Sequence, residues 1–277
     1  MIIFLNNETK VHNVKLLDRP NKTIYRVQAL ERALDILDAF SYQHRKMHLS
    51  DVVHQIGLKK ATAKRLMANL TDRGYLKLDP ATKQYELGMR LFELGSVVYS
   101  SFSLRKVASS HMKWLSEKTG LNILLGQCQE DHLVYVEKEE GNGEIKISSF
   151  VGQRRPLHFG MLGQTLMAYM PAEKVHHILT GSPLEAFTPN TITDLDAFLL
   201  RLAKIRENGY LMERGEAHQG VLGLAAPIRD RTREVVAAIG AALPLPEYVS
   251  QGYIDNVLEM VRHVAERISA ELGYLKT

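Results

Sequence analysis

Two glycines constrain this chain most. Between Gly57 and Gly74, residues Ala63, Leu66, Met67 and Leu70 recur at three- and four-residue spacing, which predicts a helix over about Lys60–Asp72 with one apolar face. Gly74 stands where a left-handed cap ends such a helix, and Gly57 breaks a preceding one whose apolar face is Val52, Val53 and Ile56. Upstream, Leu30, Ala33, Leu34, Leu37 and Phe40 predict a first helix with one apolar face, separated from the second by a polar, basic loop from Ser41 to His48. Ser50 is placed to cap the second helix. Downstream, Tyr75–Asp79 and Gln84–Leu87 flank the turn Pro80-Ala81-Thr82-Lys83 and predict a β-hairpin. Three helices, a glycine turn between the second and third, and a hairpin make a winged helix-turn-helix.

The charge distribution supports a polyanion partner for that module alone. From Asn21 to Arg90 there are 13 Lys+Arg against 7 Asp+Glu, a surplus of +6, whereas the rest of the chain has 22 against 24, a deficit of −2. On the third helix Lys60, Thr62, Lys64, Arg65 and Asn69 lie off the apolar face, where they can reach bases or phosphates in the major groove. Lys59 and Lys60 sit at the end of the helix that already favours an anion. Lys77 and Lys83 put charge on the wing, beside the sugar-phosphate backbone, and Ser50 completes the candidate DNA contacts.

The remaining pattern is mixed. Residues 1–22 are polar after the first five and read as a mobile arm, 23–88 as the winged helix-turn-helix, 89–103 as a linker helix and 104–277 as a second domain. Leu91, Leu94 and Val98 form an apolar stripe on the linker that predicts a contact with a second chain. In the second domain, strands about Leu121–Gln127 and Leu133–Glu137 precede helices about Met161–Tyr169, Ala172–Leu179 and Leu195–Asn208. Strands about Leu222–Ile228 and Val235–Leu243 follow, and a long helix bearing Ile254, Val257, Leu258, Val261, Ala265 and Ile268 ends the chain. Strands, helices, strands and a helix predict an α+β domain with a largely antiparallel sheet. The opening Met1-Ile2-Ile3-Phe4-Leu5 is too short to span a bilayer and lacks the flanks of a signal peptide, so a cytoplasmic protein is expected.

Enzymatic chemistry finds little purchase. Cys128 is the sole cysteine, which excludes an intrachain disulfide, and it has no His or Asn neighbour in sequence. His44 and His48 lack a third ligand, so no metal and no cofactor is expected. Glu137, Glu139 and Glu140 sit near a hairpin turn and read as solvated. A metabolite-processing enzyme that uses the helical module for docking is the alternative, and a nonspecific architectural DNA binder is a third reading. Turnover of a metabolite marks the enzyme, and indifference to DNA sequence marks the architectural binder.

Several runs resemble the IclR family of bacterial transcription regulators: Val27-Gln28-Ala29-Leu30-Glu31-Arg32-Ala33-Leu34, Gly57-Leu58 leading into Thr62-Ala63-Lys64-Arg65-Leu66-Met67, and Gly74-Tyr75-Leu76. The resemblance continues in Gly152-Gln153-Arg154-Arg155-Pro156-Leu157-His158, Gly163-Gln164-Thr165-Leu166-Met167-Ala168 and Gly220-Val221-Leu222-Gly223-Leu224-Ala225-Ala226-Pro227-Ile228. It implies a GAF-like effector domain, homodimers or dimers of dimers, palindromic double-stranded operators, and control of small-molecule catabolism by an organic-acid effector. Ala61 replaces a serine common in the family before Thr62. Pocket-lining positions of the family correspond to Ile145, Ile147, Met161, Leu162, Glu213, Gly223, Gly240 and Ala242, and His158 either lines the pocket or makes a structural hydrogen bond. Gln164 replaces a lysine, while Gly223, Gly240 and Ala242 replace a cysteine and two serines that hold small carboxylates. Glycine at two strand positions is expected to leave room, and Met161 to add apolar surface. An aromatic or medium-sized acid is therefore expected rather than glyoxylate or pyruvate.

Overall fold

The computed structural model describes residues 27–41, 43–100, 103–143, 149–245 and 250–275. They form two compact units that divide after residue 102. The expected N-terminal arm, together with Ile145 and Ile147, lies outside the described residues. No helix among the described residues is long and apolar enough to cross a membrane.

The first unit runs α1 (Gln28–Asp38), β1 (Met47–His48), α2 (Leu49–Ile56), α3 (Lys60–Asp72), β2 (Leu76–Leu78), β3 (Gln84–Leu87) and α4 (Met89–Ser100). Gly57 (φ 67°) caps α2 in the left-handed region and accepts no side chain there without strain. Gly74 (φ 76°) ends α3 in a Schellman arrangement: its N–H donates to the Thr71 carbonyl and that of Tyr75 to Leu70. Ile36, Phe40, Met47, Val52, Met67 and Leu76 close a single core.

Three expectations are corrected here. The segment before α2 is not wholly loop, because Met47 and His48 add a short strand to β3 and give the wing the order β1-β3-β2. Ser50 does not cap α2. His48 occupies the cap position, its backbone N–H donating to the Asp51 carboxylate at 2.8 Å, and Ser50 lies inside the first turn with its hydroxyl on Asp51. On α1 the apolar residues divide into two stripes. Ile36, Ala39 and Phe40 are buried, whereas Leu30 is 58% and Leu34 40% exposed. A core this small has room for one side of α1, and Val27, Leu30 and Leu34 form the other.

The second unit runs α5 (Ser103–Thr119), β4 (Asn122–Gln129), β5 (His132–Glu139), β6 (Arg154–Pro156), α6 (Gly160–Met167), α7 (Ala172–Gly181), α8 (Leu195–Asn208), β7 (Leu211–Arg214), β8 (Val221–Arg229), β9 (Val235–Pro244) and α9 (Gln251–Glu271). Its strands form one six-stranded antiparallel sheet, β6-β5-β4-β9-β8-β7. Successive side chains on a strand face opposite sides. On one side Ile123, Leu125, Leu222, Leu224, Ile239 and Leu243 pack against α5 and α9. The other side carries smaller residues, Gly223, Ala225, Ala238, Gly240 and Ala242, and α6 lies against it with every residue from Gly160 to Met167 buried. Small side chains let α6 approach the sheet closely. Glu137 is a further correction: β5 runs on to Glu139, so Glu137 is buried and ion-paired with Arg105 of α5 rather than solvated.

Candidate DNA interface and effector pocket

The outward arc of α3 is read off its burial. Ala63 and Met67 are buried and Leu66 and Leu70 partly so, which leaves Ala61, Arg65, Ala68 and Asp72 along the opposite line. Arg65 stands at the middle of that line with a small residue one turn to either side, so nothing bulky holds the helix away from a groove floor. Lys59 caps the helix, Lys60 opens it, no acidic residue lies in its first turn, and all of Lys59, Lys60, Lys64 and Arg65 are exposed. None of these four is held in an ion pair among the described residues. Four unpaired cations around a helix N-terminus complement phosphate.

Other sequence candidates are less free. Asn69 donates its amide to the Arg65 carbonyl at 2.8 Å, and Thr62 is half-buried. Lys77 is paired with Glu86 across the hairpin at 3.1 Å, and Lys46 stands 3.7 Å from the same carboxylate. Those two ammonium groups, Lys77 first, hold Glu86 below the usual carboxylate range. Lys83 sits at the wing tip in the left-handed region (φ 57°), after a turn in which Asp79 accepts the N–H groups of Ala81 and Thr82. Lys77→Ala is expected to weaken operator and random DNA by the same factor. Because Glu86 already offsets the lysine, the slope of log affinity against log salt should flatten by less than one full phosphate contact. Fluorescence anisotropy across a salt series measures both.

In the second unit a pocket opens between α6 and the small-residue side of the sheet. Its walls are Leu124, Tyr135, Ser149, Phe159, Gly160, Met161, Leu162, Glu213, Ala217, His218, Val221, Gly223 and Ala242. The first turn of α6 thus lines it, and the first N–H groups of a helix have no partner within the helix. Its free cavity is small, about 30 Å³, on the order of two waters.

The expected room beside the two glycines is filled, and this corrects the sequence reading. A β-carbon at position 240 would stand 2.9 Å from Sδ and 3.0 Å from Cε of Met161, and 2.7 Å from the Leu224 carbonyl. One at position 223 would meet Glu213 Oε1 at 2.7 Å and Met161 Cβ at 3.1 Å. Gly240 therefore lies beneath Met161 rather than on the pocket surface.

Polar groups gather at one end. Glu213, 2% exposed, accepts the N–H of Glu216 at 2.8 Å, and burial pushes its carboxyl up to about 7. Glu216 is also buried, paired with Arg201 at 2.8 Å and hydrogen-bonded by Gln164 at 3.3 Å. The Tyr135 hydroxyl, raised by burial, bonds with Ser149, and burial lowers His218. His158 fits neither expected role. It is 3% exposed, stacks on Phe187 at 5.9 Å, is absent from the pocket wall, and its ring nitrogens have no hydrogen-bond partner among the described residues. Tyr135, Ser149, Phe159, Ala217 and His218 were not found by sequence reasoning. The one available signal was for Phe159, which stands two residues before the matching position Met161.

A winged helix-turn-helix with a cationic third helix, joined in one chain to an α+β unit that carries a pocket, defines a transcription regulator of the helix-turn-helix type. Residues 29–80 match the IclR helix-turn-helix domain and residues 96–270 the IclR C-terminal domain of bacterial transcriptional regulators, so the chain belongs to the IclR family. It is 33% identical over 248 residues to the HTH-type transcriptional regulator XynR of Escherichia coli, covering 90% of this chain and 98% of that one. An HTH-type transcriptional regulator of Haemophilus influenzae is 32% identical over 274 residues, 98% of this chain and 99% of that one. Among solved structures, an IclR homolog from Microbacterium hydrocarbonoxydans complexed with 4-hydroxybenzoate superposes with a TM-score of 0.80 at 26% identity, covering 88% of this chain and 99% of that one.

Proposed function

We propose that this regulator controls a catabolic operon by binding a palindromic operator as a homodimer or a dimer of dimers, and that an organic acid, aromatic or of medium size, seated in the pocket of the second unit alters that binding. The observation that carries the reading is the pocket wall: the first turn of α6 meets Tyr135, Ser149, His218 and Glu213 there. A carboxylate suits the positive end of a helix, and a ligand hydroxyl suits Glu213. The 4-hydroxybenzoate bound by the Microbacterium protein combines a carboxylate, a ring and a hydroxyl. The DNA-reading group is Lys59, Lys60, Lys64 and Arg65, with Lys77 and Lys83 beside the backbone.

Selection of bound sequences from random DNA, followed by a screen of organic acids for release or tightening, tests the reading. A palindromic consensus and a response to at least one acid are expected. Binding without sequence preference, or turnover of the acid, defeats it.

Homodimers are supported by exposed apolar residues within the first unit. Val27, Leu30 and Leu34 line one side of α1, and Met89, Phe92 and Leu94 are exposed on α4. Side chains from position 96 onward in α4, Val98 among them, lie outside the described residues. One winged helix contacts one half-site, and tight binding needs two. Leu94→Glu is expected to weaken the dimer and operator affinity together, read by analytical ultracentrifugation and anisotropy on the same sample. A monomeric wild-type protein that binds its operator tightly contradicts this.

A further inference from the structure

The space that Gly240 opens on the sheet is occupied by the protein's own Met161, whose thioether and terminal methyl rest over it, while Glu213 and the Met161 β-carbon close the space at Gly223. That side chain differs from its neighbours in the pocket. Phe159 is braced edge-on against Phe187 at 4.7 Å and lies under the Arg155 guanidinium at 4.9 Å. Leu162 is packed over Gly126, where a β-carbon would come within 3.2 Å of its Cδ1. Tyr135 is tied to Ser149. Met161 has an unbranched, rotatable side chain that carries no hydrogen bond, and methionine adapts its shape more readily than any of these. It also lies in the first turn of α6, beside the N–H groups suited to an anion.

We propose that Met161 is a displaceable plug: its thioether leaves the Gly240 floor when the effector binds, and the apolar end of a carboxylic acid takes its place. The inference rests on the reading of this pocket as the effector site. The ligand class is a carboxylate with a ring or slender apolar tail. A carboxylate without a tail gains nothing from moving the plug and binds with Met161 in place. A tailed acid binds only the plug-out form, so its apparent affinity is reduced by the fraction of protein in that form.

Calorimetry on the full chain with acetate, butyrate and benzoate, on wild type and Met161→Ala, tests this. With the plug-out form at about a tenth of the wild-type population, benzoate should bind the variant about tenfold more tightly while acetate is unchanged. A second measurement uses the wild-type protein alone. With methionine methyl groups labelled, and the Met161 resonance identified by its loss in Met161→Leu, saturating benzoate should shift that resonance strongly. If benzoate binds and the Met161 methyl keeps its free-state position, or if Met161→Ala tightens all three acids equally, the plug is refuted and the acid pocket stands. If none of the three acids binds either protein, the plug is refuted and the organic-acid reading rests on the wider screen alone.

Discussion

Glu213→Gln is expected to abolish most of the loss of stability that the effector unit suffers as pH rises from 5 to 8. Glu213 lies on β7 opposite Gly223, where burial raises its carboxyl from 4.5 to about 7. Two backbone N–H groups, from Glu216 and Ala217, and the Arg201 charge pull it down, while the Glu216 charge pushes it further up. The folded-state value is thus above the unfolded one. Between pH 4.5 and 7 the folded chain holds a proton that the unfolded chain has released, so stability is highest below 4.5 and falls as pH rises through 7. A displacement of this size corresponds to about 3 kcal/mol. Glutamine keeps the shape and an oxygen for the N–H donors but carries no charge. Urea unfolding followed by the fluorescence of Trp114, the chain's single tryptophan and a residue of α5, isolates this unit. The variant should exceed wild type by about 2–3 kcal/mol at pH 8 and nearly equal it at pH 5. Parallel pH curves for the two proteins would assign the titration to another group.

The features legible in the sequence are those fixed by short stretches of chain. Gly57 and Gly74 announced the ends of α2 and α3 because each has to adopt a left-handed conformation that few other residues tolerate. The long strands and α9 showed their periods over many residues. What escaped was decided by neighbours distant in sequence. Leu30 and Leu34 share the spacing of a buried face with Leu37, and only the size of the core decides which stripe it takes. The strands β1 and β6 have two and three residues, too few to show alternation.

The pocket shows the same limit more sharply. That Gly223 and Gly240 are small is plain from sequence. What occupies the space they leave depends on where α6 settles on the sheet and how β7 pairs, and Met161 fills it at Gly240 while Glu213 and Met161 fill it at Gly223. Tyr135, Ser149, Phe159 and His218 come from a strand, loops and a helix cap that meet only in the folded unit. Glu137 looked solvated until β5 extended past it toward α5 and Arg105. Composition alone located the cationic module, since a charge surplus confined to one quarter of the chain survives any detail of folding.

Arg65→Ala is expected to cost the cognate operator about 1–3 kcal/mol, the worth of one bidentate arginine–guanine contact. The argument rests on position and on freedom. Arg65 is central on the exposed line of α3, with Ala61 and Ala68 a turn to either side, and no ion pair holds it among the described residues. Lys64 is equally exposed, but its ammonium lacks the planar fork that matches a guanine edge. Lys77 shares Glu86 with Lys46 and stands on the wing rather than on α3, so a backbone contact is all that is expected of it. Random DNA offers phosphates without the matching base, so the substitution should lower its binding far less than it lowers operator binding. The base preference at one position of each half-site should also relax. Competition anisotropy with operator and scrambled duplexes measures the first effect, and a panel of single-base variants the second. Equal losses on operator and scrambled DNA would place Arg65 on a phosphate, and the groove-facing line of α3 would have to be redrawn around Lys60 and Lys64.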